Sequence, residues 1–448
     1  MNFVRRPSTS SLPAAVFFTT AFTSLGAFAA QPETPPPPPA APEPPPPPSA
    51  PPPLPPPPPP PAAPANTPTP ERWYDKLRLR GYAQLRYNRL PSFDENDKLL
   101  SDQGDKSIGG NNGFLVRRAR LILFGDVHDH VSIYIQPDFA STPSGTDQLH
   151  TTILRDIYFD LFLDEKKRFR FRVGQSKVPY GFENLQSSQN RLPFDRADPL
   201  NSAVKDERDL GVFFYFAPVE IRRRFKHLVD GGLKGSGDYG VVGFGVYNGQ
   251  TANRPERNDN RHVVGRLTYP FLLGRQFLEI GGGGYYGRFN VLPSGMAPNM
   301  MPFATTRPDN NLVDARVHAT VVLYPQPIGF QAEYTVGQGP QQGETDTQII
   351  GSRDLRGGYA QLMAKVDGLL GTESLLPYAR YQYYAGGKKF ETNAPRYRVK
   401  ELEIGIEWQI LRALEITGAY MISDRTSPKS PHAQEQGHVT RVQLQVNY

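Results

Sequence analysis

From Trp73 to Tyr448, apolar and polar residues alternate along the chain with a period of two. The stretch KELEIGIEWQI (Lys400–Ile410), for example, sets leucine, isoleucine and tryptophan on one face against glutamate and glutamine on the other. A β-strand sends successive side chains to opposite faces, so each such segment has one apolar and one polar face. No amphipathic helix of more than three turns is predicted. The pattern therefore predicts an all-β fold.

Strands with two unlike faces fit two architectures. In a soluble sandwich the apolar face points inward, whereas in an outer-membrane barrel it meets lipid and the polar face lines a lumen. Aromatic residues near strand ends, a last alternating strand that stops at Tyr448, and roughly 375 residues without a domain boundary all favour the barrel. At about 20–25 residues per strand and connection, we expect about 16 antiparallel transmembrane strands in residues 73–448.

The N-terminus has the pattern of an exported protein. Arg5 and Arg6 precede an apolar stretch, Ala14–Ala29, that ends in Ala-Phe-Ala. A positive start, a short apolar run and small residues at its end are typical of a secretory signal peptide. We therefore predict a signal peptide over residues 1–29, with a short membrane anchor as the alternative.

Residues 30–72 form a proline-rich segment, and over half of the 47 prolines of the chain lie within it. Proline lacks the backbone donor and fixes φ, so this segment cannot form a regular helix or sheet. We expect a disordered periplasmic arm with polyproline II character that acts as a spacer or tether. A second role is also open for this arm, namely binding to a periplasmic protein or to the cell wall.

The composition narrows the function. The chain has no cysteine, which removes disulfides, thiolate chemistry and Cys-type zinc sites. The sequence lacks a G-x-S-x-G elbow and an H-E-x-x-H pair, so no catalytic site, metal or cofactor is predicted. The formal net charge of +6 agrees with attraction to anions.

Arginines recur on the polar faces. In RFRFRV, Arg168, Arg170 and Arg172 alternate with apolar residues, and in FLVRRARLILFG two arginines share the polar face while Arg117 falls on the apolar one. Rings of arginine select anions, and the planar guanidinium matches phosphate oxygens. The predicted pore-lining, anion-binding residues are Arg78, Arg80, Arg86, Arg118, Arg120, Arg168, Arg170 and Arg172. A structural alternative is that they brace the wall by pairing with carboxylates such as Asp156 and Asp160.

Four segments carry a resemblance to a known family. They are VRRARLILFGDVHDHVSIYIQPDFA (Val116–Ala140), LRDIYFDLFL (Leu154–Leu163), RVGQSKVPYGFENLQSSQN (Arg172–Asn190) and ERDLGVFFYF (Glu207–Phe216). In order and spacing, the chain resembles the phosphate-selective porin family, porins O and P, most clearly over residues 77–250. The resemblance implies a 16-stranded barrel, usually trimeric, with an inward-folded loop that narrows the pore.

On the family's pattern, the loop runs roughly from Pro179 to Asp209. The cations assigned to the constriction are Lys177, Arg191, Arg196, Lys205 and Arg208. Carboxylates equal or outnumber them locally, and the run SSQN (Ser187–Asn190) carries no lysine. Three glutamates of the segment Lys400–Ile410 are also expected to face the lumen. We therefore expect a preference for anions, with selectivity for phosphate or polyphosphate as the alternative.

The resulting hypothesis is a porin of the Gram-negative outer membrane that lets small hydrophilic solutes diffuse passively. Its expected partners are outer-membrane lipids, small anions such as phosphate, and two further copies in a homotrimer; no nucleic acid is expected. The alternatives are a structural barrel tethered to the cell wall by the proline-rich arm, and a barrel enzyme such as a lipase or protease.

Two further motifs are given little weight. The G-x-G-x-x-G matches at Gly235–Gly240 and Gly282–Gly287 lack the strand, helix and acidic residue of a nucleotide site, and we expect these glycines in curved strands. His128 and His130 flank Asp129 without further ligands in view, so a solvated turn is expected there.

Overall fold

The computed structural model describes residues 72–91, 113–141, 150–291, 302–426 and 434–448, together with positions 99, 293 and 295. The predicted signal peptide and all but the last residue of the proline-rich arm lie outside the described residues.

Sixteen long antiparallel strands of the described residues close into one barrel, as predicted. The first strand pairs with the second and with the last, so that Leu85 lies opposite Leu444. The long strands are β1 (Leu77–Arg89), β2 (Gly113–His128), β3 (Val131–Ser141), β4 (Thr151–Phe162), β5 (Phe169–Lys177), β6 (Arg208–Phe216), β7 (Val242–Tyr247), β8 (His262–Leu273), β9 (Gln276–Asn290), β11 (Asn311–Leu323), β12 (Ile328–Gln342), β13 (Ile349–Ala364), β15 (Ser374–Gly387), β16 (Arg396–Leu411), β17 (Leu414–Thr426) and β18 (Gln434–Asn447). The two-residue strands β10 (Ala304–Thr305) and β14 (Val366–Asp367) pair with β13 and β15.

The two faces of the wall follow the alternation of the sequence. On β18, Val442 and Leu444 are exposed on the outer surface, whereas Gln443 and Gln445 are buried inside. On β16, the exposed Ile404 alternates with buried glutamates. Apolar side chains therefore meet lipid and polar side chains fill the interior, which confirms the barrel over the sandwich.

The connections differ between the two ends of the barrel. Both chain ends of the barrel lie where the turns are short, such as residues 129–130, 274–275 and 412–413. In barrels of this kind the short turns are periplasmic and the longer loops extracellular. One periplasmic connection departs from this rule: residues 217–241, between β6 and β7, are longer than any other connection at that end.

Short helices occupy two of the connections. α1 (Phe182–Leu185) and α2 (Asp198–Ala203) lie between β5 and β6, and α3 (Val219–Asp230) lies between β6 and β7. Three single 3-10 turns complete the described helices, at Trp73–Lys76, Lys205–Glu207 and Leu369–Gly371. None of the described helices is long and apolar enough to cross a bilayer.

α3 corrects the expectation that the chain has no amphipathic helix of more than three turns, since twelve residues make slightly more than three turns. Ile221, Phe225 and Leu228 recur at helical spacing and are buried, while arginine and lysine occupy the opposite face. Three consecutive arginines interrupt the apolar pattern, so the sequence did not predict this helix.

Candidate functional site

A loop between β5 and β6, residues 178–207, crosses the interior of the barrel; we call it the lumen loop. Tyr180 lies 3.1 Å from the hydroxyl of Thr335 on β12, and Ser202 accepts a 2.8 Å hydrogen bond from Arg316 on β11. Since these partners stand on the far wall, the loop spans the lumen instead of lying on the barrel rim. Sequence reasoning located this loop through the family resemblance.

The base of the lumen loop is a cluster of cations around Glu207. Its carboxylate lies 3.1 Å from Lys177, 2.8 Å from Arg191, 3.3 Å from Arg196 and 2.6 Å from Arg208. Burial would raise the pKa of the Glu207 carboxyl, but these four cations outweigh it and hold the pKa well below its ordinary value. Four of the five cations predicted for the constriction thus fasten the loop where it rejoins the wall.

The fifth predicted cation, Lys205, is partly exposed beside Asp206. Asp206 has a positive φ of 60°, and the next residue, Glu207, has one of 70°. This left-handed backbone is costly for residues other than glycine. It turns the Asp206 carboxylate to Arg155 on β4 at 3.0 Å and leaves Glu207 facing its four cations.

A second ionic cluster fastens the middle of the loop. Asp195 accepts from Arg441 at 2.8 Å, Arg117 at 3.3 Å and Arg86 at 3.4 Å. Burial alone would raise the pKa of Asp195, but the neighbouring guanidinium groups hold it well below its usual range. The ring of Phe194 supports the cluster, with the Arg86 guanidinium 4.7 Å from its centroid.

Arg117 enters the lumen because β2 contains a bulge. Gln84 pairs with Arg118 and Leu85 pairs with Val116, so Arg117 is the extra residue. The sequence assigned Arg117 to the apolar, lipid-facing side, and that assignment is wrong. The alternation rule fails here because a bulge turns two successive side chains inward.

A second bulge has the same effect on β4. Gln136 pairs with Asp156 and Pro137 pairs with Leu154, which leaves Arg155 as the extra residue. Arg155 lies 3.3 Å from Asp138 as well as binding the lumen loop. The two bulges therefore add two arginines to the interior that period-two patterning does not place there.

The RFRFRV segment divides between wall and turn. Arg172 forms a two-pronged pair with Asp160 at 2.8 and 2.9 Å, and Arg170 lies 3.7 Å from the same carboxylate. Arg168 precedes β5 and pairs with Asp164 in the periplasmic turn at 2.9 Å, with its side chain 45% exposed. The first arginine of the row is therefore part of a solvated turn.

The predicted arginines of β1 and β2 have different surroundings. Arg78 and Arg80 are exposed near the periplasmic end, whereas Arg120 is buried, pairs with Asp138 at 2.8 Å and reaches Ser188 of the lumen loop at 3.1 Å. Arg118 donates to the amide oxygen of Gln84 at 2.6 Å and forms no ion pair among the described residues.

Charges are unevenly distributed around the wall. The inward cations of β18 and β1–β6 are Arg86, Arg117, Arg118, Arg120, Arg155, Arg170, Arg172, Lys177, Arg208 and Arg441, and the buried carboxylates of the same strands are Asp138, Asp156, Asp160, Asp209 and Glu435. On β12–β17 the buried carboxylates are Glu333, Glu401, Glu403, Glu407 and Glu415, and the buried arginines are Arg380 and Arg425. One side of the lumen is basic and the other acidic.

Sequence reasoning missed several buried cations of this site. Arg441 lies on the polar face of the last alternating strand and Arg380 on the polar face of β15, and Arg316 lies on β11 between Asp314 and His318, which are both buried. The same alternation would have found all three. Lys389 follows β15 and binds Asp314 on β11, a contact between distant segments that no local pattern indicates.

The described residues contain no group of three or more His, Asp or Glu side chains suited to a metal ion. His130 bonds the carbonyl of Phe162 at 2.7 Å, in the turn predicted for this motif. Gly235–Gly240 lies outside the strands, contrary to the sequence expectation, whereas Gly282–Gly287 lies within β9.

A closed 16-stranded barrel with an apolar exterior, a charged interior and a loop across the lumen defines an outer-membrane porin. The chain belongs to the family of phosphate-selective porins O and P, whose family model matches residues 97–448. The match continues beyond residue 250, where the quoted segments gave only alternation. The protein is therefore a passive diffusion channel of the outer membrane, and family and fold imply a channel rather than an enzyme.

Several solved outer-membrane proteins are similar to this chain at low sequence identity. OmpF of Salmonella typhi, in a complex with daunomycin, is 10% identical, with 83% of this chain and 97% of that chain covered at a TM-score of 0.50. OmpT of Vibrio cholerae, in a trimer form, is 11% identical, with 83% of this chain and 99% of that chain covered at a TM-score of 0.49. An anion-selective porin from Comamonas acidovorans is 10% identical, with 83% of this chain and 99% of that chain covered at a TM-score of 0.48. No curated protein matches the chain.

Proposed function

We propose that this porin conducts small hydrophilic solutes with a preference for anions. The observation that carries the proposal is Arg118, a buried guanidinium that lies among Arg86, Arg117 and Arg120 and has a glutamine amide instead of a carboxylate as its described partner. A guanidinium that is not bonded to a carboxylate lowers the energy of an anion in the lumen. The excess of arginine on β1–β6 extends this effect along one wall.

Most other arginines of the wall are neutralised by ion pairs. A carboxylate partner offsets the positive charge and fixes the guanidinium, so these residues mainly brace the loop and wall. Binding specific to phosphate needs several planar donors that are free to turn towards one anion. We therefore propose a preference for small anions as a class, phosphate among them, with weak discrimination between them.

Reversal potentials in a planar bilayer under a KCl gradient test this proposal. The wild-type channel should reverse on the anion side, and Arg118→Gln should move the reversal potential towards the cation side. Arg412→Gln is the control, since this periplasmic side chain is 91% exposed and away from the lumen. A cation-selective wild type would overturn the anion preference, and an Arg118→Gln channel with unchanged selectivity would overturn the assignment of that preference to Arg118.

The same recordings separate the remaining alternatives. A tethering barrel would give a silent bilayer, and a barrel enzyme would require hydrolysis of lipid or peptide by the purified protein. The homotrimer is likewise proposed, from the family resemblance, and chemical cross-linking followed by mass determination tests it.

A further inference from the structure

The long periplasmic connection carries a segment that returns into the barrel. After α3, residues 231–241 lead to β7, and Leu233, Lys234, Gly235 and Ser236 are all buried. We call this segment the periplasmic crossover. Neither the alternation of the sequence nor the quoted family segments indicated it.

The crossover reaches nearly the opposite side of the barrel. Lys234 forms an ion pair with Glu407 on β16, and the two side chains are 6% and 0% exposed. Around the ring of sixteen long strands, β16 stands seven strands from β7, by way of β8, β9, β11, β12, β13 and β15. The ion pair therefore joins two nearly opposite walls.

Both sides of the crossover are fastened. Leu233 packs in one apolar cluster with Phe225 of α3 and Phe277 of β9. This cluster holds the first part of the crossover against the barrel wall. At its other side, Asp238 pairs with Arg222 at 3.0 Å and its carbonyl accepts from Arg170 at 2.8 Å. Because the crossover is held at both sides and bound to β16 by the Lys234–Glu407 ion pair, it is a fixed part of the lumen.

The crossover also contacts the lumen loop. Gln186 donates from its side-chain amide to the carbonyl of Lys234 at 2.7 Å. The lumen loop enters from the extracellular side and the crossover from the periplasmic side, so the two lie in series along the path of a solute. Phe182 of α1, in the same apolar cluster as Leu233, joins them as well.

We propose that the periplasmic crossover is a second constriction of the pore and that the Lys234–Glu407 pair sets its width. A solute that has passed the lumen loop then moves beside this buried pair before it reaches the periplasm. The inference rests on the channel function of the family and is independent of the anion preference.

Charge reversal at Lys234, in the ion pair with Glu407, tests the proposal by single-channel recording. Lys234→Glu sets two carboxylates against each other in a buried site, which should drive the crossover off β16 and raise the unitary conductance. The double variant Lys234→Glu/Glu407→Lys restores opposite charges and should return the conductance towards the wild-type value. If Lys234→Glu fails to fold, Lys234→Met, which removes the charge and keeps most of the volume, carries the same expectation.

Lys226→Ala is the matched control, because Lys226 lies on α3 in the same connection with its side chain 75% exposed; its conductance should equal the wild type. Folding is checked by the mobility of unheated protein in detergent gels. A folded Lys234 variant with wild-type conductance would overturn the second constriction. A silent wild type would instead contradict the channel function, so the two failures are distinguishable.

Discussion

Arg441 on the last strand donates a 2.8 Å hydrogen bond to Asp195 on the lumen loop, 246 residues earlier in the chain. The same carboxylate also binds Arg86 and Arg117, so one acidic side chain ties the loop to β1, β2 and β18. These three strands lie next to one another at the point where the barrel closes. Closure of the barrel and placement of the loop therefore depend on each other.

Replacing the Asp195 carboxylate should change both the ion selectivity of the channel and the stability of the folded protein. Asp195→Asn keeps a hydrogen-bond acceptor but leaves Arg86, Arg117 and Arg441 without their shared negative charge. We expect a reversal potential further on the anion side and a loss of about 1–3 kcal/mol of stability, with noisier open-channel current. Asp164→Asn, in the periplasmic turn, is the control and should change neither. Unaltered selectivity of Asp195→Asn would mean that this cluster is outside the ion path.

Loss of the Glu207 charge should loosen the base of the loop. Glu207→Gln leaves four buried cations without their common carboxylate, and breaking a buried ion pair in this way costs about 3–5 kcal/mol. We expect a lower urea midpoint for unfolding in detergent, whereas Glu165→Gln, on an exposed turn, should keep the wild-type midpoint. Equal midpoints for both variants would show that the cluster contributes little to stability.

The same carboxylate predicts tolerance to acid. The pKa of Glu207 is held below its ordinary value of 4.5 in the folded protein. Its contribution to stability is therefore complete above the unfolded pKa and is lost only as the pH falls through the lower, folded pKa. The urea midpoint of Glu207→Gln should lie below that of the wild type by an amount that does not shrink between pH 7 and pH 5. A difference that already shrinks across this range would contradict the depressed pKa.

The inward turn of Arg117 can be tested directly, because the chain has no cysteine. In Arg117→Cys, the single thiol should react with a charged, membrane-impermeant thiol reagent and change the open-channel current. Leu85→Cys places a thiol on the outer face, where Leu85 is 44% exposed, and should be shielded by lipid. Protection of both thiols would restore the lipid-facing assignment made from alternation.

Closure of the barrel should depend on Gly81. The backbone of Gly81 exchanges two hydrogen bonds with Tyr448, at 2.6 and 3.0 Å, and a Cβ at this position would lie 2.4 Å from the Tyr448 ring. Gly81→Val should therefore cost about 1–3 kcal/mol through overpacking and lower the temperature at which the folded gel band disappears. Gly265→Val is the control, since a Cβ there meets no atom within 4 Å.

The sequence by itself determined the architecture and the facing of most strands. Period-two alternation is a local property, so it survives without knowledge of neighbours: Val442 and Leu444 face lipid and Gln443 faces inward, as their positions predict. The family resemblance located the lumen loop for the same reason, since its segments are contiguous in the chain. The predicted arginines Arg86, Arg118, Arg120, Arg170 and Arg172 are all buried on the inner face.

Only the tertiary structure decided which of these charges are neutralised and what crosses the lumen. Whether an arginine attracts an anion or braces the wall depends on a carboxylate that lies far away in sequence, as Asp195 does for Arg441 and Glu407 for Lys234. Bulges at Arg117 and Arg155 depend on the register between strands, which alternation does not encode. Electrostatic energy depends on distance in space, so the balance between binding and bracing was fixed by packing and not by local pattern.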